Sequence, residues 1–290
     1  MAEGKPEDVH LSKSSDQLME DREARGQKKY WRELEESHIE HPAAALIRGQ
    51  KEYWRKVEEC GGFDIDGIHA PRGTCQLIRF DCKQGYGYPE FVDLYARLGL
   101  HRYNLLEGTN FQVTDLIKYN MESNCLSTYY MTLVATEPAT GSVQTFQVLV
   151  DEHMFGRLDL TVPVARIRGI NCTLSTVEPL MLQDQDERVL YKDELFEWPS
   201  KDAFNDRKRF YMVEEAEVRD NEWICLYLKL VLCCKDKKLK ASHLSKLKIL
   251  KVWIEATIDE AEPPNARLKA KSALVYITFR LASCGIKEHI

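Results

Sequence analysis

The spacing of apolar residues changes near residue 110, and few folds accommodate such a change. Before it, PEFVDLYARLGLHRYNLLEG (89–108) places Phe91, Leu94, Tyr95, Leu98, Tyr103 and Leu105 at three- and four-residue intervals. That interval is the signature of a helix with a buried stripe. Pro89 suits a helix start and Gly108 an exit turn. The spacing predicts a helix over 89–104, with Gly99 a tolerated weak point. Beyond it the period becomes two. Phe111–Tyr119, Thr128–Thr136 and Val143–Val150 read as strands, the last two joined through EPATGS, whose Pro and Gly punctuate a hairpin. Leu158–Arg168 is a further extended stretch, peripheral or bulged because Pro163 cannot donate to a ladder. Cys75–Phe80 is strand-like and precedes the helix. One helix followed by a meander is an α+β pattern, with the helix covering one face of the sheet.

A second series follows. Arg209–Val218, Trp223–Cys233, Leu247–Ala256 and Ala273–Arg280 read as strands, and Glu260–Lys271 as a short helix after Pro263-Pro264. FQVTDLIKYN, TYYMTLVAT and QTFQVLVDE match FYMVEEAEV, WICLYLKLV and LKILKVWIEA in length and order, a repeat of pattern rather than of residues. Two stacked α+β halves and one long sheet both satisfy it. KDKKLKASHLSKLK (235–248) reads as a solvated hairpin loop whose lysines protect strand edges; a nuclear-import or phosphate-binding patch is the other reading. Residues 171–200 read as linker or irregular structure ending at Trp198-Pro199, and 284–290 as a tail.

The N-terminal part has its own character. Residues 1–24 are rich in Lys, Asp, Glu and Ser and read as a disordered tail. Residues 25–60 read as a helical arm that writes one segment twice: RGQKKYWRELEE (25–36) and RGQKEYWRKVEE (48–59) agree at nine of twelve positions. Gly61-Gly62 ends the second copy, since glycine adopts the left-handed cap cheaply. This copy runs directly into GGFDID, so it is expected to dock through Tyr53, Trp54 and Val57. The first copy is then a looser duplicate.

Composition excludes several function classes. Of 290 residues, 44% are apolar, enough for a sizeable core, and the net charge of −6 gives no general attraction to nucleic acid or anionic membrane. No run of apolar residues is long enough to span a bilayer. The polar N-terminus lacks the apolar core of a secretory signal, so cytoplasm or nucleus is expected. Nine cysteines are scattered without a C-x-x-C pair and read as free thiols, Cys225 and Cys233 as small buried hydrophobes. Phosphate-cradling glycine loops, nucleophile elbows and zinc-protease motifs are absent from the sequence. His101 reads as a helical surface or core residue and His153 as a strand-end residue. Asp64 and Asp66 in GFDIDG read as turn carboxylates, because a calcium loop needs more oxygen ligands at fixed positions. No catalytic, cofactor-binding or metal-ligating residue is therefore assigned, no cofactor is expected, and the chain reads as a non-enzyme. Basic and aromatic residues interleave in RGQKKYWR and FNDRKRFYMV. Glu33, Glu35 and Glu36 offset the first, and Asp202 and Asp206 the second, which counts against nucleic acid.

YWRKVEECGGFDID, LGLHRYNLLEGTNFQ, QTFQVLVDE, GRLDLTVPVARIRG, FNDRKRFYMV and SALVYITFR occur in order over residues 48–281. Together they resemble the plant male-sterility-five-like, cystatin-related family of unknown function, expanded in crucifers. The resemblance implies a cystatin-like helix on an antiparallel β-meander over 61–170, a second β-rich half over 201–283 and the helical N-terminal arm. It also implies a link to reproductive or embryo development. Cystatins block papain-like proteases with a Q-x-V-x-G loop and a Pro-Trp loop. Here the corresponding loops read MESNCLS (121–127) and EHMFGRLD (152–159), so no inhibitory residue carries over. The expected function is a protein-interaction module with an unknown protein partner. The alternatives are an atypical inhibitor of a papain-like protease and an enzyme using a cavity in a cone-shaped fold.

Overall fold

Helix α1 (Pro42–Glu59) carries the second copy of the duplicated segment, and with Asp66–Cys75 it belongs to one of two compact units. The computed structural model describes residues 42–82, 87–169, 198–256, 263–270, 272–281 and 287–289. The 1–24 tail, the first copy of the repeat and nearly all of the 171–200 segment lie outside the described residues. Tyr53 and Val57 on α1 are buried and Trp54 is half-buried, its ring edge-on to Tyr53 at 5.2 Å. Arg55 bridges Glu52 and Glu59 along the exposed side. Gln50 donates from Nε2 to the Cys75 carbonyl at 2.7 Å, which ties the 66–75 turn to its helix.

The other unit comprises Cys60–Ile65 and the chain from Gln76 onward. Its first half is β1 (Leu77–Asp81), α2 (Glu90–Glu107), β2 (Gln112–Glu122), β3 (Thr128–Thr136), β4 (Val143–Glu152) and β5 (Leu160–Ile167). The strands form an antiparallel sheet in chain order, as the period-two pattern requires. Helix α2 packs on β2, β4 and β5. Strand β5 is an edge, and its pairing skips a step between Val164 and Thr161, where Pro163 would otherwise interrupt the ladder. Gly99 is no weak point. A Cβ there would lie 1.8 Å from Cγ1 of Val148, so glycine lets the helix approach β4 closely.

Across the opposite sheet face lies Cys60–Ile65. Gly61 and Gly62 take φ of 62° and 76°, and the carbonyls of Gly62 and Phe63 accept from Asn120 Nδ2 at 2.7 and 3.0 Å. Phe63 sits edge-on to Tyr130 and beneath the Arg166 guanidinium.

The second half departs from its sequence reading in four places. Only Phe210–Met212 of the 209–218 stretch is strand (β6); Glu215–Asp220 is helix α3, capped by the Glu217 carboxylate accepting from the Glu214 amide at 3.0 Å. Trp223–Cys233 is not a strand but most of helix α4 (Glu222–Lys235). Its even positions, Ile224 to Leu232, are all Ile or Leu and mimic alternation, yet leucine is a strong helix former and the run is longer than an ordinary strand. Ile224, Leu228 and Leu232 are buried at four-residue intervals. Third, the 284–290 tail includes strand β9 (Lys287–His289). The 235–248 segment is not a hairpin loop: it leads from α4 through helix α5 (Ala241–Leu244) into β7 (Leu247–Glu255). Strand β8 (Leu274–Leu281) follows a 3₁₀ turn at Pro264–Lys269, as the proline pair predicts.

The second sheet runs β6-β7-β8-β9, separate from the first. Among the described residues there are two sheets rather than one long one. Each half is strand, helix, then an antiparallel meander, and α4, not a strand, stands in the second half where α2 stands in the first. The two helices pack on each other, and a core of Tyr95, Met131, Val148, Leu228, Val252 and Phe279 among others is continuous through both halves.

Candidate functional site

The β2–β3 and β4–β5 loops meet at one end of the first sheet, and a buried carboxylate fastens them. Glu152 ends β4, and its side chain is only 5% exposed. One oxygen accepts from the Tyr95 hydroxyl at 2.7 Å and from Lys237 Nζ at 2.6 Å. The other accepts from the Ser127 amide at 3.2 Å, while the Glu152 amide donates to the Ser127 carbonyl. Ser127 Oγ returns hydrogen bonds to the carbonyls of Glu122 and Asn124. Tyr95 comes from α2, Lys237 follows α4, and the lysine lies over the Phe91 ring at 5.1 Å. One carboxylate thus joins both loops to both halves of the unit.

Above it lies a shallow surface cleft lined by Cys125, Leu126, Met154, Phe155, Leu160 and Cys234 among others. The space it encloses is about that of one water molecule, far short of a small-molecule site. The cleft offers little chemistry. Burial, then the hydrogen bond to Glu152, pushes the Tyr95 phenol far above its ordinary value. Burial, then the Glu152 charge, also raises the Cys234 thiol, which disfavours the nucleophilic thiolate. Glu152 accepts from three donors and so clamps the two loops together. The loops it fixes present Leu126, Met154 and Phe155 at 38%, 44% and 76% exposure. The two loop segments are legible in the sequence, but Tyr95 and Lys237 lie too far from Glu152 in sequence for spacing to reveal the clamp.

The residues weighed in the sequence fall elsewhere. His101 is half-buried on α2, edge-on to Tyr227 at 6.2 Å, and burial followed by the Arg102 charge lowers its pKa. His153 Nε2 is 2.8 Å from Thr161 Oγ1. Cys233 is buried as expected, whereas Cys225 is only half-buried. Asp64 is more than a turn carboxylate. Lys118 Nζ donates to it at 2.8 Å and Arg168 Nη2 at 3.2 Å, which holds the 60–65 segment against the sheet. Burial opposes its ionisation, but the Lys118 hydrogen bond and the two cations prevail and lower its pKa from 3.8. A lowered carboxyl pKa contributes stability above the unfolded value and loses it as pH falls through the folded value. Asp64→Asn is expected to cost roughly 1 kcal/mol near neutrality, because the pair is partly exposed. Thermal melts across pH should show the gap from wild type closing as pH falls below about 4.

Similarity to known proteins agrees with this architecture. Residues 195–290 match the model of the family described as Protein MS5. "UPF0725 protein At1g02770" from Arabidopsis thaliana is 47% identical over 236 residues, covering 79% of this chain and 71% of the relative. The chain belongs to the MS5 (UPF0725) family of plant proteins. Another family member, "UPF0725 protein At3g19520" from the same plant, is 44% identical over 91% of this chain and 80% of its own length. The crystal structure of MS5 from Brassica napus matches with 34% identity and a TM-score of 0.55, over 70% of this chain and 89% of that one. Among the described residues of this family member, no helix is long and apolar enough to cross a membrane.

Proposed function

We propose that this MS5-family chain is a non-enzymatic protein-interaction module, and that its partner seats on the two-loop edge. The observation that carries the reading is Phe155, 76% exposed at the tip of a loop whose base is pinned by buried Glu152. A large aromatic side chain on a rigid mount loses little conformational freedom on binding, the property of an interface anchor. Leu126 and Met154 flank it, so the partner chemistry that fits is an apolar pocket. The setting we assign is the cytoplasm or nucleus, from the polar N-terminus, and reproductive or embryo development in plants, from the sequence resemblance.

The test is site-specific photo-crosslinking in flower-bud extract, with a photoreactive phenylalanine analogue at position 155 and, as control, at exposed Val143. A protein crosslinked from position 155 and not from 143 supports the reading. Equal or no crosslinking from the two positions overturns it. A second reading, atypical inhibition of a papain-like protease, draws on the two hairpin loops lying side by side beneath a helix-on-meander half, as in a cystatin-like arrangement. Nanomolar inhibition of papain would establish it, and full protease activity at micromolar chain would remove it.

A further inference from the structure

Helices α2 and α4 pack on each other, and through their contact the two halves share one core. His101 is set into that contact and is the one histidine on either helix. Its ring stands edge-on to Tyr227 of α4 at 6.2 Å, and Tyr227 stands edge-on to Trp223 at 6.0 Å. No hydrogen bond to the imidazole occurs among the described residues. The charge that acts on the ring is Arg102, its neighbour in sequence. One turn earlier Arg97 is held by Asp93 at 2.5 Å, and further along α2 Glu107 acts on Tyr103 instead. On α4, Lys229 acts on Glu90, and burial raises the Tyr227 phenol, so it is neutral near pH 7. Strands β2, β4 and β5, packed beneath α2, bring no described carboxylate near enough to act on the imidazole.

We propose that the α2–α4 joint is an acid-sensitive coupling between the two halves. A proton on His101 sets an imidazolium beside Arg102, in an aromatic contact that offers no counter-charge, and the helices loosen. Histidine is the side chain whose ordinary pKa allows such a change in mild acid. Burial and then Arg102 lower the folded value from 6.5. The unfolded chain therefore takes up the proton first as pH falls. Stability from this site is complete above about 6.5 and declines below it. The consequence reaches the two-loop edge, because Tyr95 on α2 and Lys237 after α4 both hold Glu152. Movement of one helix on the other works against that clamp. The coupling is a property of the fold and stands apart from whether a partner seats on the edge.

The test sets wild type against His101→Gln and Arg102→Gln at about pH 7.5 and about pH 5.5, on either side of the histidine range. Groups elsewhere titrate alike in all three full chains. Between the two pH values, the melting temperature of wild type should fall by about 2 °C or more beyond the fall in His101→Gln. Arg102→Gln keeps the imidazole but removes the neighbouring charge, so its fall should lie between the two. Amide exchange, compared at one pH at a time, should quicken at pH 5.5 in wild type relative to His101→Gln in α2, α4 and the 121–127 and 152–159 loops. Proton NMR of the His101 ring in wild type, which needs no variant to fold, should give a titration midpoint below about 6.5. A midpoint at or above that value overturns the proposal. So does a melting difference that pH leaves unchanged, or an exchange ratio in α2 and α4 that does not rise at the lower pH.

Discussion

Gly99→Ala is expected to destabilise the protein by about 2 kcal/mol, although alanine is the better helix former by about 1 kcal/mol. The reason is the space available. The added Cβ would meet Val148 at Cγ1, Cβ and Cγ2, at 1.8, 2.8 and 2.9 Å. Contact with the Cβ as well as both methyls leaves no flexible end to swing aside, so α2 must lift from the sheet or β4 must bend. Val148 is fully buried, and close-packed interiors transmit such displacement. Urea unfolding of Gly99→Ala, Val148→Ala and the double variant should show coupling: the double variant is more stable than the sum of single losses predicts, by about 1 kcal/mol or more. Strict additivity would mean that the helix does not cross the sheet at this point.

Leu228→Ala should cost about 3 kcal/mol, the usual range for removing a buried leucine. Leu228 is 1% exposed on α4, on one stripe with Ile224 and Leu232, whereas neighbouring Tyr227 is 39% exposed. Tyr227→Ala should therefore cost less than half as much, although tyrosine is the larger side chain. Because the core is continuous through α2 and α4, the loss should appear in one unfolding transition reported alike by probes in either half. Two separate transitions would show that the halves fold independently.

These two sites also show where the sequence speaks and where it does not. The α2 helix and the first meander were legible because each has one clean period and glycine or proline at its ends. Helix α4 was not, because a helix buried on two sides is apolar nearly all round and loses its period; alternating leucines then imitated a strand. Strand β9 has three residues, too few for any period. Laying the two strand series over one another set α4 against a strand for the same reason. Within the candidate site, the loop pair 121–127 and 152–159 could be read from the hairpin order. The Glu152 clamp could not, since its donors come from α2, the β2–β3 loop and the segment after α4. Asp64 was read as a turn carboxylate because Lys118 and Arg168 reach it only once the sheet has formed.

If Phe155, held by the Glu152 clamp, anchors a protein partner, the most direct test is to titrate the purified crosslinked partner against wild type and Phe155→Ser in a calorimeter, alongside thermal melts of both. At least a thirtyfold loss of affinity is expected, corresponding to about 2 kcal/mol at an interface anchor, with an unchanged melting temperature because the side chain is exposed. Equal affinity for the two proteins would contradict it.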